Sequence, residues 1–119
     1  MNRNRIAASF VYTLDDAQPI RNGFVEYDED GTITAVGRCE EGEEVLPGAI
    51  VPGFVNAHCH VELSHLHGKF RNGTGMAGFI DQINELRDWA GFEVKQQLVR
   101  KWMDKMWEDG VSAMADISN

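Results

Sequence analysis

The sequence predicts an α/β protein built in two consecutive parts: a β-rich segment, then a strand, two helices and a second strand. Three patterns carry that expectation. Up to about residue 50 the chain consists of short β-branched and aromatic runs divided by turn residues. From about 79 to 109 its apolar residues recur at helical spacing. Alternating segments stand on both sides of that helical stretch, at 54–61 and 111–118.

In order, residues 6–14 (IAASFVYTL), 23–27 (GFVEY) and 32–37 (TITAVG) are the first three expected strands. Asp30-Gly31 closes the acidic turn between the last two, because glycine takes the positive φ of a hairpin turn without a Cβ clash. Residues 39–44 (CEEGEE) form another acidic turn, and Val45-Leu46 opens a short strand before Pro47-Gly48. A β segment of this size does not close a large core by itself. Pro52-Gly53 then breaks the chain before the strand at 54–61. Alternation there puts Val55, Ala57, Cys59 and Val61 on one face and Phe54, Asn56, His58 and His60 on the other.

A histidine- and glycine-rich loop is expected over 62–77. The helix at 79–90 carries Phe79, Ile80, Ile83, Leu86 and Ala90 on one side and stops at Gly91. The next, at about 93–109, carries Val94, Leu98, Val99, Trp102, Met103, Met106 and Trp107 as a broad apolar stripe and stops at Gly110. Residues 111–118 (VSAMADIS) return as a strand. A crossover of this kind pairs its two strands in parallel and with right-handed connection.

The 119 residues are 43% hydrophobic and 25% charged, the balance of a globular chain and not of a disordered one. Nineteen acidic against eleven basic residues, a net charge of −8, argue against nucleic acid or an anionic membrane as partner. No apolar run approaches the roughly 18 residues that a membrane-spanning helix needs. The start, MNRNRIAASF, has no apolar core of a secretory signal, and two cysteines make no disulfide framework. A cytoplasmic location is the expectation.

His58-Cys59-His60 is the sharpest chemical signal. Side chains two apart on a strand leave from the same face about 6.5 Å from each other. From there two imidazoles reach one metal at about 2.0–2.1 Å. The same spacing also suits two polar residues on a solvated strand face. The Pro-Gly break, the apolar opposite face and the histidine-rich loop favour the metal. Cys59 points the other way, as a small buried hydrophobe. Cys39 has no partner at a metal-binding spacing. Glu62, Ser64, His65 and His67 follow at the strand's C-terminal end, where sites of parallel α/β folds gather. They are candidates for substrate binding, with a solvated polar loop as the alternative. Asp116 is read as a structural hydrogen-bonding residue, the Trp102, Met106 and Trp107 stripe as core, and Lys95, Lys101 and Lys105 as a solvated face.

At these residues the sequence resembles the amidohydrolase superfamily, metal-dependent hydrolases on a (β/α)8 TIM barrel. One part of the match is VYTLD at 11–15, PIRNG at 19–23 and DGTITAVG at 30–37, similar to the β-sandwich-type domain that precedes the barrel. The other is VPGFVNAHCH at 51–60, similar to barrel strand 1. Asn56 stands where binuclear members commonly have an aspartate, and Glu62-Leu63-Ser64 follows. The resemblance is therefore to the mononuclear deaminase and chlorohydrolase branch. It implies a small β-domain over 1–50 and the start of the barrel over 51–119. It also implies a zinc or iron ion held by His58 and His60, completed in the family by histidines and an aspartate from later strands. Such a metal lowers the pKa of bound water toward 7. The resulting hydroxide attacks a carbon that bears nitrogen, with a carboxylate moving the proton.

A whole barrel takes about 250 residues, whereas 61 residues follow His58 (119 − 58). That is room for strand 1, its helical crossover and strand 2. The expectation is an N-terminal fragment of a deaminase-like hydrolase, with an incomplete ligand set, no catalytic residue of its own and no activity alone. A small-molecule substrate is implied for the complete enzyme, and self-association is expected of surfaces built for neighbours. Two other readings are a small non-catalytic protein that uses the βαβ half for oligomerisation, and a simple metal-binding module of His58, His60 and loop histidines.

Overall fold

A computed structural model describes residues 4–118 and divides between Pro52 and Gly53 into two units. The first is a four-stranded sheet in the order β3-β2-β1-β4. Its strands are β1 (Asn4–Val11), β2 (Ile20–Tyr27), β3 (Ile33–Arg38) and β4 (Leu46–Ile50). β1 and β2 pair antiparallel from Asn4 opposite Tyr27 to Val11 opposite Ile20. β2 pairs antiparallel with β3, and β4 lies parallel to β1.

The β2–β3 turn forms as its sequence dictates. Asp28 Oδ1 accepts from the Asp30 and Thr32 amides at 3.1 and 2.8 Å, and Gly31 takes a φ of 81°. β1 stops three residues short of the expected Leu14. Leu14 sits at φ 66°, and the Thr13 hydroxyl and Asp16 carboxylate accept from amides two residues on. Those local bonds compete with the ladder and end the strand. Ala8 and Val11 are the buried apolar residues of this unit. The expected sandwich-type layering is not what the described residues form. They make one sheet, on which Val25, Ile33, Val36 and Ile50 line an open depression instead of a closed core.

The second unit runs β5 (Phe54–Cys59), a 3-10 helix (Val61–Leu66), α1 (Gly75–Leu86), α2 (Phe92–Glu108) and β6 (Val111–Asp116). β5 and β6 pair in parallel, from Phe54 opposite Val111 to Cys59 opposite Asp116. Gly53 packs against Ser112, so closely that a Cβ there would come 2.6 Å from Ser112 Cβ. This close approach explains the glycine of the Pro52-Gly53 break.

Three expectations change here. The strand at 54–61 ends at Cys59, and a 3-10 helix replaces the start of the loop, so the strand alternation does not reach Glu62 and Ser64. α1 begins at Gly75 and ends at Leu86, four residues early at each end. Gln82 sets that frame: it is 2% exposed, and its amide grips Arg71 and Thr74 ahead of the helix. The α2 stripe is not a closed core. Trp102 and Met106 are half-buried, while Trp107 is 71% exposed. The buried centre is instead His65, Leu66, Gln82 and Ala90. No helix among the described residues is long and apolar enough to cross a membrane.

Candidate metal centre

The site forms where β5 gives way to the 3-10 helix. His58 lies on β5 and His60 just past its end, and their Nε2 atoms stand 3.1 Å apart. The rings meet edge-on at 72°, so the two nitrogens converge. Two nitrogens at that separation, each about 2.05 Å from one ion, subtend about 98° at it. That is close to a tetrahedral angle, so the pair fits two positions of a zinc-type shell. Among the described residues no group of three or more His, Cys, Asp or Glu side chains is arranged to hold a metal. What the described residues bring together here is two imidazoles.

His60 Nδ1 lies 2.8 Å from the Ile117 carbonyl. A carbonyl only accepts, so Nδ1 carries the proton and Nε2 keeps its lone pair for a metal. Next to it, Asp116 Oδ1 accepts from the Val61 amide at 2.8 Å, and its other oxygen takes the Ser118 hydroxyl. The Ser118 hydroxyl and then the Val61 N–H hold the Asp116 carboxyl below its ordinary range. Cys59 is half-buried and faces the Ala115 carbonyl and Asp116 Oδ1 at 3.5 and 3.8 Å. Burial first, then the Asp116 charge, pushes its thiol up, which keeps it a protonated donor.

Alternation placed Asn56 with the histidines. Its amide nitrogen instead reaches Met106 Sδ on α2 at 3.6 Å, while its oxygen accepts from the His58 amide at 3.3 Å. The β5–β6 register shifts between Asn56 and Cys59, which breaks strict alternation at this point.

The remaining candidates separate. Glu62 stays beside the pair: it lines a depression of about 280 Å³ with His60, Leu63, Ile80, Ile83 and Arg87. Its Oε2 is buried without a hydrogen-bond partner among the described residues. Ser64 turns back and donates to the Val61 carbonyl at 2.6 Å. His65 is 4% exposed, with Nδ1 3.0 Å from the Glu62 carbonyl and Nε2 2.8 Å from that of Arg87. His67 is exposed and meets the Trp102 ring at a tilt of 46°, with centroids 4.3 Å apart. Sequence reasoning passed over Asn84 and Arg87, which also line the depression. Their signal was present: 80, 84 and 87 follow one helical row.

No family model matches the chain. A curated relative, the 5-methylthioadenosine/S-adenosylhomocysteine deaminase of Halobacterium salinarum, is 43% identical over 53 residues, 41% of this chain and 12% of that protein. This match supports the resemblance to the amidohydrolase superfamily. The solved structure of Helicobacter pylori aminofutalosine deaminase in complex with methylthio-coformycin superposes with a TM-score of 0.72 at 22% identity, over 98% of this chain and 30% of that one. An adenosine deaminase from Xanthomonas campestris with bound zinc gives 0.72 at 18% identity, over 95% and 28%. Guanine deaminase from C. acetobutylicum with bound guanine gives 0.69 at 13%, over 99% and 30%. The chain thus spans less than a third of the length of the proteins it matches.

Proposed function

We propose that the chain supplies the metal-binding first strand of a deaminase-like hydrolase that cleaves a carbon–nitrogen bond in a small molecule. The observation that carries this is the pair of converging Nε2 atoms at 3.1 Å, borne on a stretch that resembles strand 1 of that superfamily. His58 and His60 hold zinc or iron, which when bound supplies a hydroxide at neutral pH. Glu62, with a buried oxygen free of other bonds beside His60, accepts a hydrogen bond from the substrate. Leu63, Ile80 and Ile83 give the apolar wall against which a flat or ribose-bearing body rests. Ser64, His65 and His67, committed to other bonds and contacts, shape the loop around that position.

Two histidines leave a tetrahedral shell half filled. Residues 1–119 are therefore inactive alone and act with further strands that bring the remaining ligands and the proton-moving carboxylate. Exposed Phe54, Val55 and Trp107 favour self-association of the chain in isolation. The test is ammonia release from methylthioadenosine, adenosine and guanine, with zinc or iron, by residues 1–119 and by any longer product of the same reading frame. The short chain is expected to release none, and His58→Ala to abolish release by the longer one. Robust metal-dependent release by the short chain would contradict its proposed incompetence.

A further inference from the structure

We infer that the end of β6 is a positioning device for His60, with Asp116 as its positioning residue. This rests on the reading of His60 as a metal ligand.

His60 occupies a weak point of the backbone. The β5–β6 ladder ends at Cys59 opposite Asp116, and the 3-10 helix starts at Val61. His60 lies between the two, and its own side chain makes no capping bond to the helix. The helix holds its carbonyl, which accepts from the Leu63 amide at 3.0 Å, but neither ladder nor helix fixes its ring.

Three hydrogen bonds from residues 116–117 close that gap. The Ile117 amide donates to the Cys59 carbonyl at 3.0 Å, on one side of His60. The Val61 amide donates to Asp116 Oδ1 at 2.8 Å, on the other side. His60 Nδ1 then donates to the Ile117 carbonyl at 2.8 Å, which fixes the ring itself. Asp116 does for the 3-10 helix what an N-cap side chain does for an α-helix, from the neighbouring strand: it satisfies the first free N–H with a negative charge. The Ser118 hydroxyl on the second oxygen holds the carboxylate in orientation.

The consequence reaches the metal position through geometry alone. The backbone bonds hold residues 59 and 61, the ring bond selects the Nδ1–H tautomer, and Nε2 is left aimed at His58. Partners of this kind are worth about 10- to 100-fold in metal affinity when removed. Asp116 touches no reacting atom in this scheme. It acts through Val61 and through the course of Ile117.

Two readouts on residues 1–119 test this. The first is long-range proton–nitrogen NMR of the imidazoles without metal, with the rings neutral. Wild type is expected to hold His60 in the Nδ1–H tautomer, and Asp116→Ala to lose that preference. The second is competitive titration with cobalt(II) or zinc against a chromophoric chelator. Asp116→Ala is expected to weaken binding about 10- to 100-fold, and Asp116→Asn, which keeps an accepting oxygen, by clearly less. Far-UV circular dichroism and tryptophan fluorescence check that each variant is folded, and Asp116→Asn keeps the test alive where alanine unfolds the chain. An unchanged tautomer in Asp116→Ala, or equal losses in both variants, overturns the proposal. If His60→Ala leaves metal affinity untouched, the ligand reading itself fails. The tautomer measurement still decides the positioning role in that case.

Discussion

Replacing Gln82 with leucine should unfold the second unit far more easily than its conservative size suggests. The side chain is 2% exposed. Its Oε1 accepts from the Arg71 amide at 2.6 Å, and its Nε2 donates to Thr74 Oγ1 at 3.0 Å and the Gly78 carbonyl at 3.1 Å. Leucine nearly fills the same volume, so the cavity cost is small. What goes is about three hydrogen bonds at about 1 kcal/mol each, and the Arg71 N–H loses its partner. A net loss of about 3 kcal/mol follows, or about 12–24 °C in Tm for a domain of this size. Trp89, Trp102 and Trp107 all lie in this unit, so urea unfolding followed by tryptophan fluorescence reads it selectively. Gln82→Glu keeps the acceptor and loses the donor, and should fall between. A loss below about 0.5 kcal/mol for Gln82→Leu, the range of an ordinary surface change, would refute the clamp.

Gly53→Ala forces a Cβ to within 2.6 Å of Ser112 Cβ and should cost about 1–3 kcal/mol in the same assay, with Ser112→Gly restoring much of it. Glu43 is held below its ordinary value, first by the Glu40 N–H and also by the Arg5 guanidinium 2.9 Å away. Its folded pKa is the lower one, so its contribution is complete above the unfolded value of about 4.3 and is lost as pH falls through the folded value. Glu43→Gln should therefore narrow the stability difference between neutral and acid pH. Near-UV dichroism of Tyr12 and Tyr27, both in the first unit, reports it. Cys59, its thiol pushed up and half-buried, should react with iodoacetamide at neutral pH more slowly than an unhindered thiol.

Much of the architecture was legible because it follows from local periodicity. The strand–helices–strand order of residues 54–118 gave the parallel pairing of β5 with β6. The two histidines converge as their spacing of two suggested, although His60 lies just past the strand's end. What failed were extrapolations past an element's end. Strand parity carried Glu62 and Ser64 onto the histidine face, but the strand stops at Cys59 and the 3-10 helix obeys another period. Apolar spacing began α1 at Phe79 because Gly75 and Gly78 offer no hydrophobic signal. Bonds to backbone carbonyls were invisible in principle. No residue type announces that Ile117 receives the His60 ring, or that Glu62 and Arg87 receive that of His65. The α2 stripe was read as core because sequence cannot say how much of a hydrophobic face the same chain covers.

The central claim is that His58 and His60 form two positions of one metal site. Four-ligand structural zinc binds with about 10–16 kcal/mol, so half a shell should hold about 5–8 kcal/mol, a Kd of about 1–200 µM. Cobalt(II) or zinc titration of residues 1–119 against a competing chelator measures this directly. The account predicts one equivalent in that range, weakened at least about tenfold by either His58→Ala or His60→Ala and unaffected by His67→Ala. A single equivalent bound with undiminished affinity after both His58 and His60 are replaced would contradict it.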